Sequence, residues 1–536
     1  RAFLKAKGLA PQDIDPAAGD DWQKIVYNPD ANLQKSNPGV YYWSQRYLHH
    51  YGIDAIKERT DIVQEYLPNA HIGANFSPHH GGARHSYLGE VFKWVNCFRR
   101  DGMTMPWSED YIWQVPMGTQ QMNGINLDLF RAGLRGKPDR KIMYYVMPHW
   151  PGNRPDSWRR LFYNALGHGM KKINLFEFRP VWNAYSENHV TNDDTYVTVL
   201  QTVRELGLYE DIVQSGQVRQ ADTALWFSET GDIWDDNKGS FAAAKRGLYV
   251  AILHGGAHLD FVVEADAQDG TLAQYKVLFL TDNHVSLAAS KNISAWVKNG
   301  GALFATAGAG MFDEYNRPNQ IMRKLYGVDQ TALEMPEGGQ VDFIKQDLPY
   351  VEPVATLRWN GADLSAYGVR SKVTAAGAEI DGKFSDGSAA IATRVVGKGS
   401  VVYCAFLPSL AYFAPAIPQR PLDRSSSDDA MSHFIPTAFD AAAAQLINRQ
   451  VDASRHPVVA SERLVETTII ESKKGVLITL ANWSAAPVKN LTVTVKIPIP
   501  KTAVLASGAK LASKTNGDGT EFTLDLDVAD ALILRD

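Results

Sequence analysis

Residues 102–114 read Gly-Met-Thr-Met-Pro-Trp-Ser-Glu-Asp-Tyr-Ile-Trp-Gln, an apolar run that opens into three aromatic rings and two adjacent carboxylates, Glu109 and Asp110. The apolar part, 102–105, has the length and character of a short buried strand, and the aromatic, acidic part that of the rim following it. The same succession recurs three times. Expected strands at 71–76, 141–147 and 172–178 run into NFSPHH, PHWPGNRPDSW and EFRPVWN, and amphipathic segments at 54–66, 87–100 and 157–167 lie between. Strands alternating with helices predict a parallel α/β architecture. Polar and aromatic clusters gathered at the carboxyl ends of the strands match the face on which a (β/α)8 TIM barrel builds its site. Four strands amount to half a barrel, and this first unit is expected over 1–216.

A second α/β unit is expected over 217–455. TALWFS, LDFVVEA, YKVLFLTD, ALFATAG and GKGSVVYCAF are strands, apolar throughout, with helices at 241–254, 287–299 and 438–450. Such strands belong to a doubly wound, flavodoxin-like sheet covered on both faces. From 456 to 536 the pattern becomes alternating (LVETTIIES, GVLITLANW, LTVTVKI, TEFTLDLD), which predicts a small antiparallel β-sandwich.

Across 536 residues the net charge of −5 arises from interspersed acids and bases, so no basic stripe offers itself to a phosphate backbone and nucleic acid is excluded as a partner. No apolar run approaches the roughly twenty residues that span a bilayer, so no membrane partner is expected. The 13 tryptophans and 22 tyrosines suit sugar stacking and large cores equally. Cys97 and Cys404 stand alone in apolar settings, which predicts neither a disulfide framework nor a zinc site. His79, His80 and His85 lie in a loop-like segment, SPHHGGARH, where adjacent histidines do not share a face, so no metal is expected. No cofactor is expected either, since ATAGAG lacks the dinucleotide spacing and the middle unit lacks a nucleophile elbow. The chain opens on RAFLKAKGLAPQDI, which reads as the middle of an amphipathic helix, so the true N-terminus is expected upstream and localisation is not legible.

The order of units, with several local matches, resembles the β-galactosidases of glycoside hydrolase family forty-two. Gly73-Ala74-Asn75-Phe76 resembles the segment ending the fifth strand of that family, and Trp107-Ser108-Glu109-Asp110-Tyr111 falls on the cluster after the sixth. Met147-Pro148-His149-Trp150-Pro151-Gly152, followed by Trp158, resembles the seventh-strand Met-Glu-Gln segment and its downstream tryptophan. Ala165-Leu166-Gly167-His168-Gly169 and Leu175-Phe176-Glu177-Phe178-Arg179 resemble the final helix and strand. The resemblance implies the C-terminal half of the barrel, an amidotransferase-like trimerisation unit, a carbohydrate substrate and a homotrimer. It also marks a departure. Pro148 occupies the place of the family's nucleophilic Glu, and the family's acid/base Glu would lie before Arg1.

Glycoside hydrolysis uses two carboxyl groups flanking the bond. Glu109 is the first catalytic candidate, because it follows a strand directly and Trp107, Tyr111 and Trp113 would stack a pyranose and desolvate it. Its structural alternative is a helix cap or a pair with Arg84. Glu177, inside an apolar strand, either faces the barrel mouth as the second carboxylate or pairs with Arg179. Asn75, Trp107, Asp110, Tyr111, His149, Trp158 and Trp182 are the candidate substrate-binding residues, with Asp110 better suited to an N-cap. The expected function is a β-galactosidase-like glycosidase acting on a galactose-containing or related glycan. The alternative is a carbohydrate-binding or assembly protein that has lost catalysis, for which Pro148 speaks.

Overall fold

A computed structural model describes residues 1–76, 90–109, 119–148, 154–176, 178, 190, 192–234, 240–335, 352–417, 434–452, 455–498, 501–517 and 519–536. The first unit is built on a four-stranded sheet whose strands pair in chain order and all run parallel: β1 (Asn75–Phe76), β2 (Trp107–Glu109), β3 (Ile142–Tyr145) and β4 (Met170–Asn174). Three of these differ from the sequence expectation. The run 102–105 only approaches the sheet, with the Thr104 and Met105 amides both donating to the Ile72 carbonyl, and the paired strand is Trp107–Glu109, within the rim. Of 71–76 only Asn75–Phe76 enters the ladder, and the last strand begins at Met170 rather than 172. A strand is fixed by its partner's hydrogen bonds, which apolar content does not report.

The helices follow from their caps. The helix expected over 54–66 begins far earlier, as Pro38–Tyr66, because the Asn37 side chain accepts from the Val40 amide and Pro38 takes the first turn, where its missing N–H costs nothing. The segment expected as a helix to 100 contains a π-helical turn, Phe92–Asn96, leading into Cys97–Arg99. One face of the sheet packs on these helices. Phe76 meets Trp94, Phe98 and Phe130 at centroid distances of 5.8, 5.6 and 6.1 Å, and Tyr144 is fully buried. The other face is only partly covered and carries Trp107, Met143, Tyr145 and Lys172.

The middle unit holds a nine-stranded sheet. Its parallel part runs Gly399–Cys404, Ala302–Ala305, Val277–Leu280, Thr223–Trp226, Leu259–Val262, as the apolar runs predict. Four antiparallel strands, Ala389–Val396, Glu379–Phe384, Ala355–Trp359 and Ala362–Ala366, extend it beyond the doubly wound pattern. The last two form a two-residue hairpin across Asn360 and Gly361, whose φ values of 49° and 81° suit a type I′ turn. Gly361→Ala is expected to cost about 1 kcal/mol, all of it backbone strain, because a Cβ there meets nothing within 4 Å. A thermal unfolding midpoint measured against wild type checks this.

The C-terminal unit is the expected antiparallel sandwich, with sheets of four and five strands around a core that includes Ile469, Ile478, Leu524 and Leu532. Its five-stranded sheet recruits Gln217–Val218, from the boundary between the first two units, as an edge strand beside Val465–Ser472. Among the described residues no helix is long and apolar enough to cross a membrane.

A buried polar junction ties the three units together. His168, at the end of the helix Pro155–Gly167, places Nδ1 2.9 Å from Asp128 and Nε2 2.5 Å from Glu466 of the sandwich. Asp128 also accepts from the Tyr249 hydroxyl of the middle unit at 2.7 Å and pairs with Arg131, which reaches Asp260 at 2.6 Å. Glu466 accepts from the Trp483 indole at 2.8 Å. Burial alone would strip the imidazole of its proton, but the Asp128 carboxylate and then Glu466 reverse this and lift its pKa to about 10. Gly167 lets the helix come this close, since a Cβ there would stand 2.2 Å from the Thr468 hydroxyl.

Candidate active site

The short strands β1 and β2 bring together Asn75, Trp107 and Glu109, three of the residues expected at the site. Alternation along β2 puts Trp107 and Glu109 on the partly open face and turns Ser108 away, its hydroxyl donating to the Phe76 carbonyl. The register then sets Asn75 level with Trp107, and Tyr145 level with Glu109. Glu109 is only 4% exposed, and the Asn75 side-chain amide donates to its Oε2 at 2.5 Å. Its backbone is fixed from behind by the buried Tyr144 hydroxyl, 2.8 Å from the Glu109 carbonyl oxygen and 2.5 Å from Asn123 Oδ1.

Two rings form the wall beside this carboxylate. Trp107 and Tyr145 meet edge to face with centroids 5.4 Å apart, and Tyr145 continues to Phe176 at 5.8 Å. Burial, and then the charge of Glu109, raise the Tyr145 phenol above its ordinary pKa, so it is a neutral hydroxyl at the site. The Trp107 indole nitrogen is buried and has no hydrogen-bond partner among the described residues. Sequence reasoning missed Tyr145. Its signal was the pair Tyr144-Tyr145 in an alternating strand, which puts one ring in the core and the other on the site face.

Trp158 stands apart from this group. It is wholly buried, stacks on Phe162 with centroids 5.6 Å apart, and donates its indole N–H to the Val146 carbonyl at 3.2 Å. It therefore braces the chain leaving β3 from within the core, and is not placed to meet a sugar. Pro148, where the resemblance implies a nucleophile, is buried two residues further along. Asp110, Tyr111, Trp113, His149, Glu177 and Trp182 lie outside the described residues, as do Arg84, Arg179 and the histidines 79, 80 and 85. Among the described strand-end residues Glu109 is the one carboxylate. Among the described residues no group of three His, Cys, Asp or Glu side chains could hold a metal ion.

Comparison with solved structures shows which architecture this is. The chain superposes on a catalytic mutant of Gan42B, a GH42 beta-galactosidase from G. stearothermophilus, over 98% of its own length and 72% of that chain, with a TM-score of 0.66 at 16% identity. The chain has the fold of the GH42 beta-galactosidases. The beta-galactosidase from Bacillus circulans sp. alkalophilus matches over 99% of this chain and 74% of its own, at a TM-score of 0.65 and 14% identity. That from the Antarctic haloarchaeon Halorubrum lacusprofundi matches over 100% and 75%, at 0.65 and 14%. Residues 224–417 match the family described as the beta-galactosidase trimerisation domain. No curated protein sequence matches the chain. The GH42 fold thus spans all three units, and the trimerisation-domain match covers the central sheet with its antiparallel extension.

Proposed function

We propose that this protein is a glycosidase of the β-galactosidase type, acting on a galactose-containing or related glycan. The observation that carries the reading is Glu109, a buried carboxylate at the carboxyl end of a parallel strand, gripped by Asn75 and flanked by the rings of Trp107 and Tyr145. In this reading the four parallel strands are the C-terminal half of a (β/α)8 barrel, whose sites form on that side. Glu109 and Glu177 supply the carboxyl chemistry. One protonates the leaving oxygen while the other attacks the anomeric carbon or activates water. The flat rings bind the apolar face of a pyranose. Asn75 both steadies Glu109 and presents its amide to a hydroxyl, with Asp110, Tyr111, His149 and Trp182 completing the sugar contacts. The amidotransferase-like middle unit assembles a homotrimer, as the match over 224–417 supports.

The test is release of sugar from a panel of nitrophenyl glycosides and galactose-containing oligosaccharides, in which galactosides are expected to be cleaved in preference. Asn75→Ala is expected to lower kcat by about 10–100-fold with KM changed far less, because it loosens Glu109 without removing the stacking rings. A second reading, binding without cleavage, is favoured by Pro148 at the nucleophile position. Sugar binding with no turnover on any member of the panel would establish it.

A further inference from the structure

A cavity of about 310 Å³ lies at the amino-terminal end of β3 and β4, opposite the candidate active site, where segments of all three units meet. Its charged lining is one-sided: Arg131, Arg135, Lys137, Arg140 and Lys171 against the single carboxylate of Asp260. That carboxylate is already engaged, by Arg131 at 2.6 Å, the Ala221 amide at 3.1 Å and the Tyr275 hydroxyl at 3.3 Å.

The acids behind the wall do not balance it. Asp101 is shared between Lys137 at 2.7 Å and Arg140 at 3.4 Å, Asp266 between Arg135 and Arg99, and Asp128 between Arg131 and His168. Much of the remaining solvation is by neutral carbonyls. Lys171 donates to Gly216 at 2.6 Å, Lys137 to Phe98 and Arg99, and Arg135 to Phe261. Burial, and then the neighbouring Lys141, push the Lys171 ammonium below its ordinary pKa, with Asp139 opposing them.

We propose that this cavity binds a small oxyanion of the phosphate or sulfate class, held by Lys171 and Arg140 at its mouth and by the second side-chain N–H of Gln217 and of Gln220, whose first donate to the Pro138 carbonyl at 3.0 Å and to Gln274 at 2.7 Å. Convergent guanidinium and ammonium groups on rigid strand ends and a helix suit a tetrahedral dianion. The ion would bridge the first unit to the segment 213–220 that leads into the other two, so binding is expected to stabilise the whole protein.

The experiment is thermal unfolding of the full chain with increasing sodium sulfate or phosphate, against sodium chloride at matched ionic strength, with titration calorimetry for stoichiometry. The expected result is a saturable rise of the midpoint, roughly 2 °C or more, and one ion per chain, neither of which chloride produces. Lys171→Gln and Arg140→Gln are each expected to weaken binding about tenfold while circular dichroism shows the same fold. Among the described residues Arg140 makes one ion pair, at 3.4 Å, so its variant is the safeguard should Lys171→Gln disturb the Gly216 contact. Equal effects of sulfate and chloride, or an unchanged sulfate response in both variants, would overturn the proposal. Inorganic sulfate against a monosaccharide sulfate ester in the same titration separates the two sources: preference for the ester makes the site a reader of sulfated glycan, and preference for the inorganic ion a site for free anion.

Discussion

Glu109→Gln is expected to lower kcat/KM by about 10²–10⁴-fold, the range a positioned acid–base or nucleophilic carboxyl commands, while leaving the unfolding midpoint and sugar binding nearly unchanged. The substitution is close to isosteric, so the 4% exposed site stays filled, and the amide oxygen still accepts from Asn75. What it removes is the negative charge and the ability to take or give a proton. Steady-state kinetics on a cleaved galactoside, paired with calorimetric binding of the same sugar, separate a chemical loss from a binding loss. A fall of less than about tenfold in kcat would take Glu109 out of the chemistry and leave it a binding residue.

His168→Ala is expected to be the most damaging single change to stability, costing about 3–5 kcal/mol, because it takes away the cation that Asp128 and Glu466 share in the interior. Glu466 is left to the neutral Trp483 donor, while Asp128 keeps Arg131 and Tyr249. The effect depends on pH with a definite sign. The folded pKa, about 10, stands above the ordinary value of 6.5, so the contribution is fully present below about pH 6.5 and drains away as pH rises towards 10. The groups that face His168 are Asp128, Glu466, Tyr249 and, through Asp128, Arg131. Thermal midpoints of wild type and variant should therefore lie far apart at pH 6 and converge near pH 10. A gap that is constant between those pH values would show that His168 acts by packing alone.

The parallel strands of the middle unit were legible because burial on both faces demands continuous apolar runs, and VLFL or ALFA admits little else. The strand at the site was harder to place. Met103 and Met105 look more like a strand than Trp107-Ser108-Glu109, yet Pro106 cannot donate to a ladder, and pairing begins only beyond it. The antiparallel extension was overlooked although Asn360-Gly361 is a strong hairpin signal. Glu109 and Asn75 could be named because Glu109 closes a strand and Asn75 stands one residue before the end of another. Trp158 could not be distinguished from a rim residue because nothing local tells which side of a strand a following helix covers. The junction at His168 lay beyond reading from the chain, since it joins residues 128, 168, 249 and 466, whose only relation is that the fold brings them together.

Gln217–Val218 is a two-residue strand, but its pairing decides when the protein can be finished. Arg219, just beyond it, bonds Glu471 across a separation of 252 residues. On a ribosome adding about 5–20 residues per second, this edge emerges on the order of 10–50 s before its partner exists. The first unit must leave the exit tunnel with that border open, while the whole central sheet is synthesised and folds in between. Completion of the protein is thus a late stitching event, and a chaperone that shields the waiting strand would act in the interval before its partner is made.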